Sequence, residues 1–128
     1  FANRETIPNI REKELKDDVL KLLQKSKQNS CNIILPLDVV VAKEFKAGAA
    51  CRTAALDDVQ DDEMILDIGE KSIKNLVAEL QKQKTVLWNG PLGAFEIKPF
   101  NIATESFARE LASLTKQGKI LSIAGGEM

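Results

Sequence analysis

From Met64 onward the apolar residues alternate between two periods, and this switching constrains the fold more than any other feature of the chain. Met64-Ile65-Leu66-Asp67-Ile68 is a short, mostly apolar run of strand type. Gly69 ends it, and Ile73, Leu76, Val77 and Leu80 then fall on one face of a helix. The pattern repeats. Lys84-Thr85-Val86-Leu87-Trp88 is a strand, Gly90 to Gly93 a turn, and from about Asn101 a helix aligns Phe107, Leu111 and Leu114 before ending near Gly118. Lys119-Ile120-Leu121-Ser122-Ile123 is the next strand, running into Ala124-Gly125-Gly126. Strands alternating with helices of about 10 to 15 residues pack as right-handed βαβ units. The predicted class is α/β, with a mainly parallel sheet flanked by helices. Five of the seven glycines (Gly69, Gly90, Gly93, Gly125 and Gly126) lie just after proposed strands, and in an open parallel sheet those ends share the edge where ligands bind.

Upstream the signals are less regular. Residues 12 to 28 carry Leu15, Val19, Leu22 and Leu23 at helical spacing, the pattern of a surface helix packing one stripe inward, and Asn29-Ser30 breaks it. Asn32-Ile33-Ile34-Leu35-Pro36 and Asp38-Val39-Val40-Val41-Ala42 read as strand segments buried on both faces, with Pro36 interrupting any ladder between them. Arg52-Thr53-Ala54-Ala55 is a weaker strand candidate. Asp57 to Glu63 is a polar, solvated connection; its acids lack the alternating spacing, turn glycine and distant glutamate of a calcium loop.

With 128 residues and 44% hydrophobic composition, the chain has material for one globular domain. A formal net charge of −1 points to neither a nucleic-acid backbone nor an anionic membrane as partner, so an anion must be captured locally. The longest apolar stretch, Asn32 to Ala42, is interrupted by Pro36 and Asp38 and is shorter than the ~20 residues a bilayer-spanning helix needs. The opening Phe1-Ala2-Asn3-Arg4-Glu5 does not read as a secretory signal, and a cytoplasmic location is expected. Cys31 and Cys51 lack C-x-x-C spacing and are expected as free thiols. Without histidine, common zinc sets and Ser-His or Cys-His nucleophiles are excluded. No G-x-G-x-x-G follows an early strand, which argues against a dinucleotide fingerprint.

A glycine turn lets a ligand approach the backbone and admits positive φ, so successive N–H groups can point at a phosphate. A following helix adds its partial positive end. Any α/β domain needs such turns for geometry alone, so one turn by itself identifies nothing. Trp88 to Glu96 is more informative: Asn89 is a short amide at a strand end, Pro91 fixes the turn, and Glu96 returns a carboxylate able to accept from both ribose hydroxyls. Plainer roles stay open for each: Trp88 and Phe95 as core, Asn89 as a turn former, Glu96 as a solvated charge.

Trp88-Asn89-Gly90-Pro91-Leu92-Gly93-Ala94-Phe95-Glu96 resembles the W-N-G-P-x-G-x-F-E signature of the phosphoglycerate kinases at every fixed position. Leu35 to Ala42 resembles the family's L-P-x-D-x-x-x-A segment, and Met64 to Gly69 its M-x-L-D-x-G segment. Pro99-Phe100, the helix after them and the late strand entering glycines also fit, in the expected order. The resemblance covers about residues 31–126, while 1–30 match poorly. It implies that 1–128 is a single partial nucleotide-binding domain of the family's C-terminal type, with a Rossmann-like α/β fold incomplete relative to the family domain. It implies ATP or ADP and magnesium as ligands, and phosphoryl transfer between 1,3-bisphosphoglycerate and ADP in glycolysis. Carried over by position, Asn89 lies by the transferring phosphates with Gly90 beside it, and Pro91, Ala94 and Leu66 border adenine and ribose. Glu96 holds the ribose hydroxyls, and Gly125 and Gly126 bring backbone amides close to the nucleotide. Phosphoryl transfer rests on positioning and charge stabilisation, so the missing histidine is no obstacle.

The chain departs from the family at three places. The family's last turn continues as G-G-G-D-[ST], whose aspartate contacts magnesium, whereas Gly125-Gly126 is followed by Glu127-Met128, so no metal ligand is assigned. Phe1 to Ile10 shows nothing like the glycine- and lysine-containing motif expected before the first helix, and Thr6-Ile7-Pro8-Asn9 reads as irregular chain. Glu70 replaces a common proline. The resemblance implies a missing N-terminal phosphoglycerate-binding domain as the partner, and an isolated chain with little or no activity, because closure of two domains assembles such a site. The alternative is an inactive fragment or interaction module that retains the fold.

Overall fold

A computed structural model describes residues 12–126, with side chains from residue 15. The irregular segment expected over Thr6 to Asn9 and the terminal pair Glu127-Met128 lie outside the described residues. The chain divides near residue 35 into two units.

The first holds helix α1 (Glu12–Gln28), which matches the helix expected from 12 to 28. Its end is fixed locally: Asn29 N–H and Nδ2 both donate to Lys25 O, at 3.1 and 2.9 Å, Cys31 N–H reaches Ser26 O at 2.8 Å, and Ser30 takes a φ of 53°. No inward-packed stripe forms within this unit: Leu15, Val19 and Leu22 are about half exposed, and Leu23 is partly buried. Helical spacing sets an apolar face without saying what covers it. The strand expected over Asn32 to Pro36 does not form either. Ile33, Ile34 and Leu35 are exposed there, and Pro36 has no N–H to contribute to a ladder.

The second unit contains β1 (Asp38–Ala42), β2 (Cys51–Ala55), a 3₁₀ turn (Leu56–Asp58), β3 (Met64–Ile68), α2 (Glu70–Leu80), β4 (Thr85–Asn89), α3 (Ile102–Lys116) and β5 (Leu121–Gly125). β4 and β5 pair in parallel from Thr85 opposite Leu121 to Asn89 opposite Gly125, joined by the α3 crossover. The first three strands form a separate sheet in the order β2-β1-β3, with both pairings antiparallel. The class is thus mixed α/β, with its parallel part in β4 and β5.

Period-two alternation puts β1 between two apolar clusters. Val39 and Val41 pack with Ala54, Val59 and Ile65, while Val40 and Ala42 turn toward Ala49, Leu66 and the fully buried Phe100. α2 and α3 cover one face of β4–β5 through Leu80, Leu111, Leu114 and Ile120, with Trp88 set edge-on against Phe107 at a centroid distance of 5.0 Å. On the other face Leu87, Leu121 and Ile123 are exposed.

Two aspartates inside otherwise apolar strands organise the helices. Neither α2 nor α3 receives a side-chain cap from its own N-cap residue, Gly69 or Asn101. Instead Asp38 of β1 accepts from Ser72 N–H at 2.9 Å and Lys71 N–H at 3.2 Å, and Asp67 of β3 accepts from Ala103 N–H at 3.1 Å. Burial alone would raise the Asp38 pKa, but hydrogen bonds from Ser72 and Lys71 outweigh it and hold the carboxyl below its ordinary value. The polar connection after β2 is solvated as expected at Asp57, Asp58, Gln60, Asp61 and Asp62, and departs from that expectation at Glu63. Glu63 is buried and clasped by Arg52, Nη2 to Oε1 at 2.7 Å and Nε to Oε2 at 2.9 Å, while Arg52 also binds Asp58. The guanidinium and then the Gln60 N–H bring the Glu63 pKa down to about 2.

Candidate functional site

The C-terminal ends of β4 and β5 open onto a cavity of about 410 Å3 lined by Phe45, Asn89, Gly90, Pro91, Gly93, Ala94, Phe95, Glu96, Ile97 and Gly126. Its volume is in the about 300–1,000 Å3 range of small-molecule sites. Parallel pairing creates it: the last rung sets Asn89 opposite Gly125, and Gly90 N–H donates to Gly125 O at 3.3 Å. The two strand exits therefore turn away side by side. Gly126 has a φ of 85°, and a Cβ there would stand 3.0 Å from Asn89 Oδ1 and 3.2 Å from Gly90 N, so only glycine leaves this corner open.

The turn itself is anchored from below. Ala94 N–H donates to Leu66 O at 2.8 Å, Leu92 N–H to Thr104 Oγ1 at 3.1 Å, and Phe95 N–H to Gly93 O at 2.8 Å. Gly93 runs so close to Asp67 and Leu66 that a side chain has no room. Burial raises the Asp67 pKa to about 6, against the opposing pull of the Ala103 and Ile68 N–H groups.

Of the sequence-predicted residues, Asn89, Gly90, Pro91, Ala94, Glu96 and Gly126 line this one cavity. Leu66 sits behind it in the Phe100 cluster and meets the turn through its carbonyl, and Gly125 stands behind it in the β4–β5 ladder. Phe45 and Ile97 are lining residues that the sequence reading did not single out. Ile97 lies one residue past the recognised motif. Phe45 comes from the β1–β2 connection, where nothing local in Lys43-Glu44-Phe45-Lys46 signals a return to the β4 end. Trp88 takes its plainer role: it packs against Phe107 in the α2–α3 cluster, with Nε1 buried and without a hydrogen-bond partner among the described residues. Glu96 is exposed at the rim.

A second concavity of about 450 Å3, over β1 and β2, includes Lys43, Cys51, Arg52 and Glu63 in its lining. Its charges are already matched, Lys43 with Asp62 at 3.2 Å and Arg52 with Glu63 and Asp58, so it offers no uncommitted ion. Both Cys31 and Cys51 are free and exposed. Among the described residues no cluster of three or more acidic or thiol side chains is placed to hold a metal ion, and no helix is long and apolar enough to cross a membrane.

A parallel strand pair whose glycine exits border one concave site is an α/β arrangement, of the kind in which open sheets place their ligands at the strand ends. The sequence model of phosphoglycerate kinase matches residues 2–128, and the chain belongs to that family. It is 53% identical over 115 residues to the phosphoglycerate kinase of Zymomonas mobilis and 50% identical over 115 residues to that of Mesorhizobium japonicum, each match covering 90% of this chain and 29% of the relative. The solved phosphoglycerate kinase of Coxiella burnetii superposes with a TM-score of 0.80 at 30% identity, over 91% of this chain and 29% of that one. The chain thus spans about 29% of the length of the relatives it matches.

Proposed function

We propose that the Asn89–Glu96 turn, Gly126 and Phe45 form the adenine-nucleotide wall of a cytoplasmic phosphoglycerate kinase, an enzyme that moves a phosphoryl group between 1,3-bisphosphoglycerate and ADP. The observation that supports this reading is the convergence of six residues, chosen from sequence alone, on one cavity of about 410 Å3. Phe45, Pro91, Ala94 and Ile97 offer apolar surface for a purine. Glu96 accepts hydrogen bonds from vicinal ribose hydroxyls, and the Asn89 amide and the opening beside Gly126 serve the phosphate end. Magnesium, when bound, supplies charge neutralisation for the phosphates, and among the described residues no cluster of three or more acidic or thiol side chains is placed to hold it. The phosphoglycerate-binding domain is the partner of this reading. The isolated chain then binds nucleotide without turning it over.

Isothermal titration with millimolar ADP, with and without magnesium, tests the reading alongside amide spectra. Binding heat together with shifted Asn89 and Glu96 signals is expected. No heat and no shift would remove the nucleotide assignment. The exposed face formed by Leu87, Leu121 and Ile123 favours a second reading, a fragment that acts through contacts and not through turnover. Phosphoglycerate-dependent ATP turnover by the purified chain would eliminate that one.

A further inference from the structure

We propose that Asp67 is a positioning residue of the cavity: without touching the ligand, its buried carboxylate locks the Gly93–Glu96 turn to the first turn of α3. The inference rests on the nucleotide reading above and extends it to a residue outside the cavity lining. Asp67 is 1% exposed. Oδ2 accepts from Ala103 N–H at 3.1 Å, Oδ1 accepts from Ile68 N–H at 2.9 Å, and the preceding residue's carbonyl, Leu66 O, accepts from Ala94 N–H at 2.8 Å. Gly93 passes directly over the same carboxylate, with space for hydrogen only. Two consecutive residues of β3 therefore hold the start of α3 and the floor of the turn that carries Ala94 and Glu96. A carboxylate held by two backbone donors in a buried position has a single orientation, which is what a rigid floor requires.

Asp38 provides an internal comparison. It is also a buried strand aspartate that caps a helix beside a glycine, Gly69, yet neither it nor Gly69 lines the cavity. A merely structural role predicts that the two aspartates behave alike, whereas positioning predicts that only Asp67 affects ligand binding.

The test compares Asp67→Asn with Asp38→Asn in ADP titration, thermal melting and amide spectra. Expected for Asp67→Asn are ADP binding weakened about tenfold or more, shifted Gly93, Ala94 and Glu96 signals in the ligand-free chain, and unmoved signals at the C-terminal end of α2. Asp38→Asn is expected to lower the melting midpoint and leave ADP affinity unchanged. Wild-type affinity and unmoved turn signals in Asp67→Asn, or equal affinity loss in both variants, would overturn the proposal. If the unaltered chain binds no ADP, the nucleotide reading fails, while the ligand-free turn signals still decide the positioning role. The unaltered chain gives a further readout that does not depend on a variant folding: ADP should slow hydrogen exchange at Ala103 N–H, which bonds to Asp67 and lies outside the cavity, and unchanged exchange there in the ADP complex would count against the lock.

Discussion

Gly93→Ala is the most informative single substitution, because the structure states what the added methyl meets. The new Cβ would stand 2.7 Å from both Asp67 Cγ and Leu66 O and nearer still to Asp67 Oδ1, where real Cβ atoms stay beyond 3.0 Å. Neither neighbour can yield cheaply. Leu66 O is backbone inside β3 and bonded to Ala94 N–H, and the Asp67 carboxylate is fixed by two N–H donors. Overpacking of this kind costs about 1–3 kcal/mol. Replacing glycine restricts the unfolded chain, which returns about 0.4–1 kcal/mol. The net loss is about 0–2.6 kcal/mol and centres on about 1.3 kcal/mol, and each kcal/mol lowers the melting midpoint by about 3–6 °C for a length between the small-domain and large-domain ranges. Circular dichroism melting reads this, with ADP titration alongside to register the lifted turn as weaker binding. Gly125→Ala is the control: nothing lies within 4 Å of its Cβ and its φ is not left-handed, so the variant should be as stable as the parent or up to about 1 kcal/mol more stable. Equal midpoints for the two variants, or a Gly93→Ala chain as stable as the parent with unchanged ADP affinity, would refute the close-floor geometry.

Three further outcomes are expected. Phe100→Ala removes the largest fully buried side chain, and chemical denaturation should show a loss of about 3–5 kcal/mol. Glu96→Gln leaves the fold intact because the residue is exposed, but should weaken ADP about tenfold while leaving inorganic pyrophosphate binding unchanged in competition titrations. Stability should be bounded on both sides in pH, as urea midpoints across a pH series would show. The folded Asp67 pKa of about 6 lies above its unfolded value, so its contribution is full below about pH 4 and lost as pH rises through 6; the Glu63 pKa of about 2 lies below its unfolded value, so its contribution is present above about pH 4.5 and lost as pH falls toward 2. Asp67→Asn should remove the upper limb alone.

β3, β4, α2, α3 and β5 were legible because each carries an apolar period long enough to be decisive and a glycine where the period changes. The cavity lining from Asn89 to Glu96 was legible for the same reason: it is contiguous in sequence. What stayed hidden depends on partners distant in the chain. The pairing of β1 with β2 is antiparallel because a short connection returns the chain beside itself, and local propensity does not encode the placement of β3 on the far side of β1. Phe45 reaches the cavity through that same connection. Glu63 reads as one acid among many until Arg52, eleven residues earlier, folds over it. Asp38 and Asp67 were visible as polar letters inside apolar strands, and that mismatch was the available signal for a buried cap. The helix they serve lies over 30 residues away in each case.

That offset has a consequence for how the domain assembles. Asp38 caps α2, the first α-helix after its strand but reached only across β2 and β3; Asp67 passes over α2 and caps α3, which follows β4. Each aspartate thus completes a helix that begins only after at least one further strand has been added, as each row of bricks spans the joint in the row below. A βα unit cut from its predecessor keeps its residues but leaves helical N–H groups bare at its leading end. Folding of successive units is therefore coupled in one direction along the chain, and damage to an early strand should be felt first at the start of a later helix.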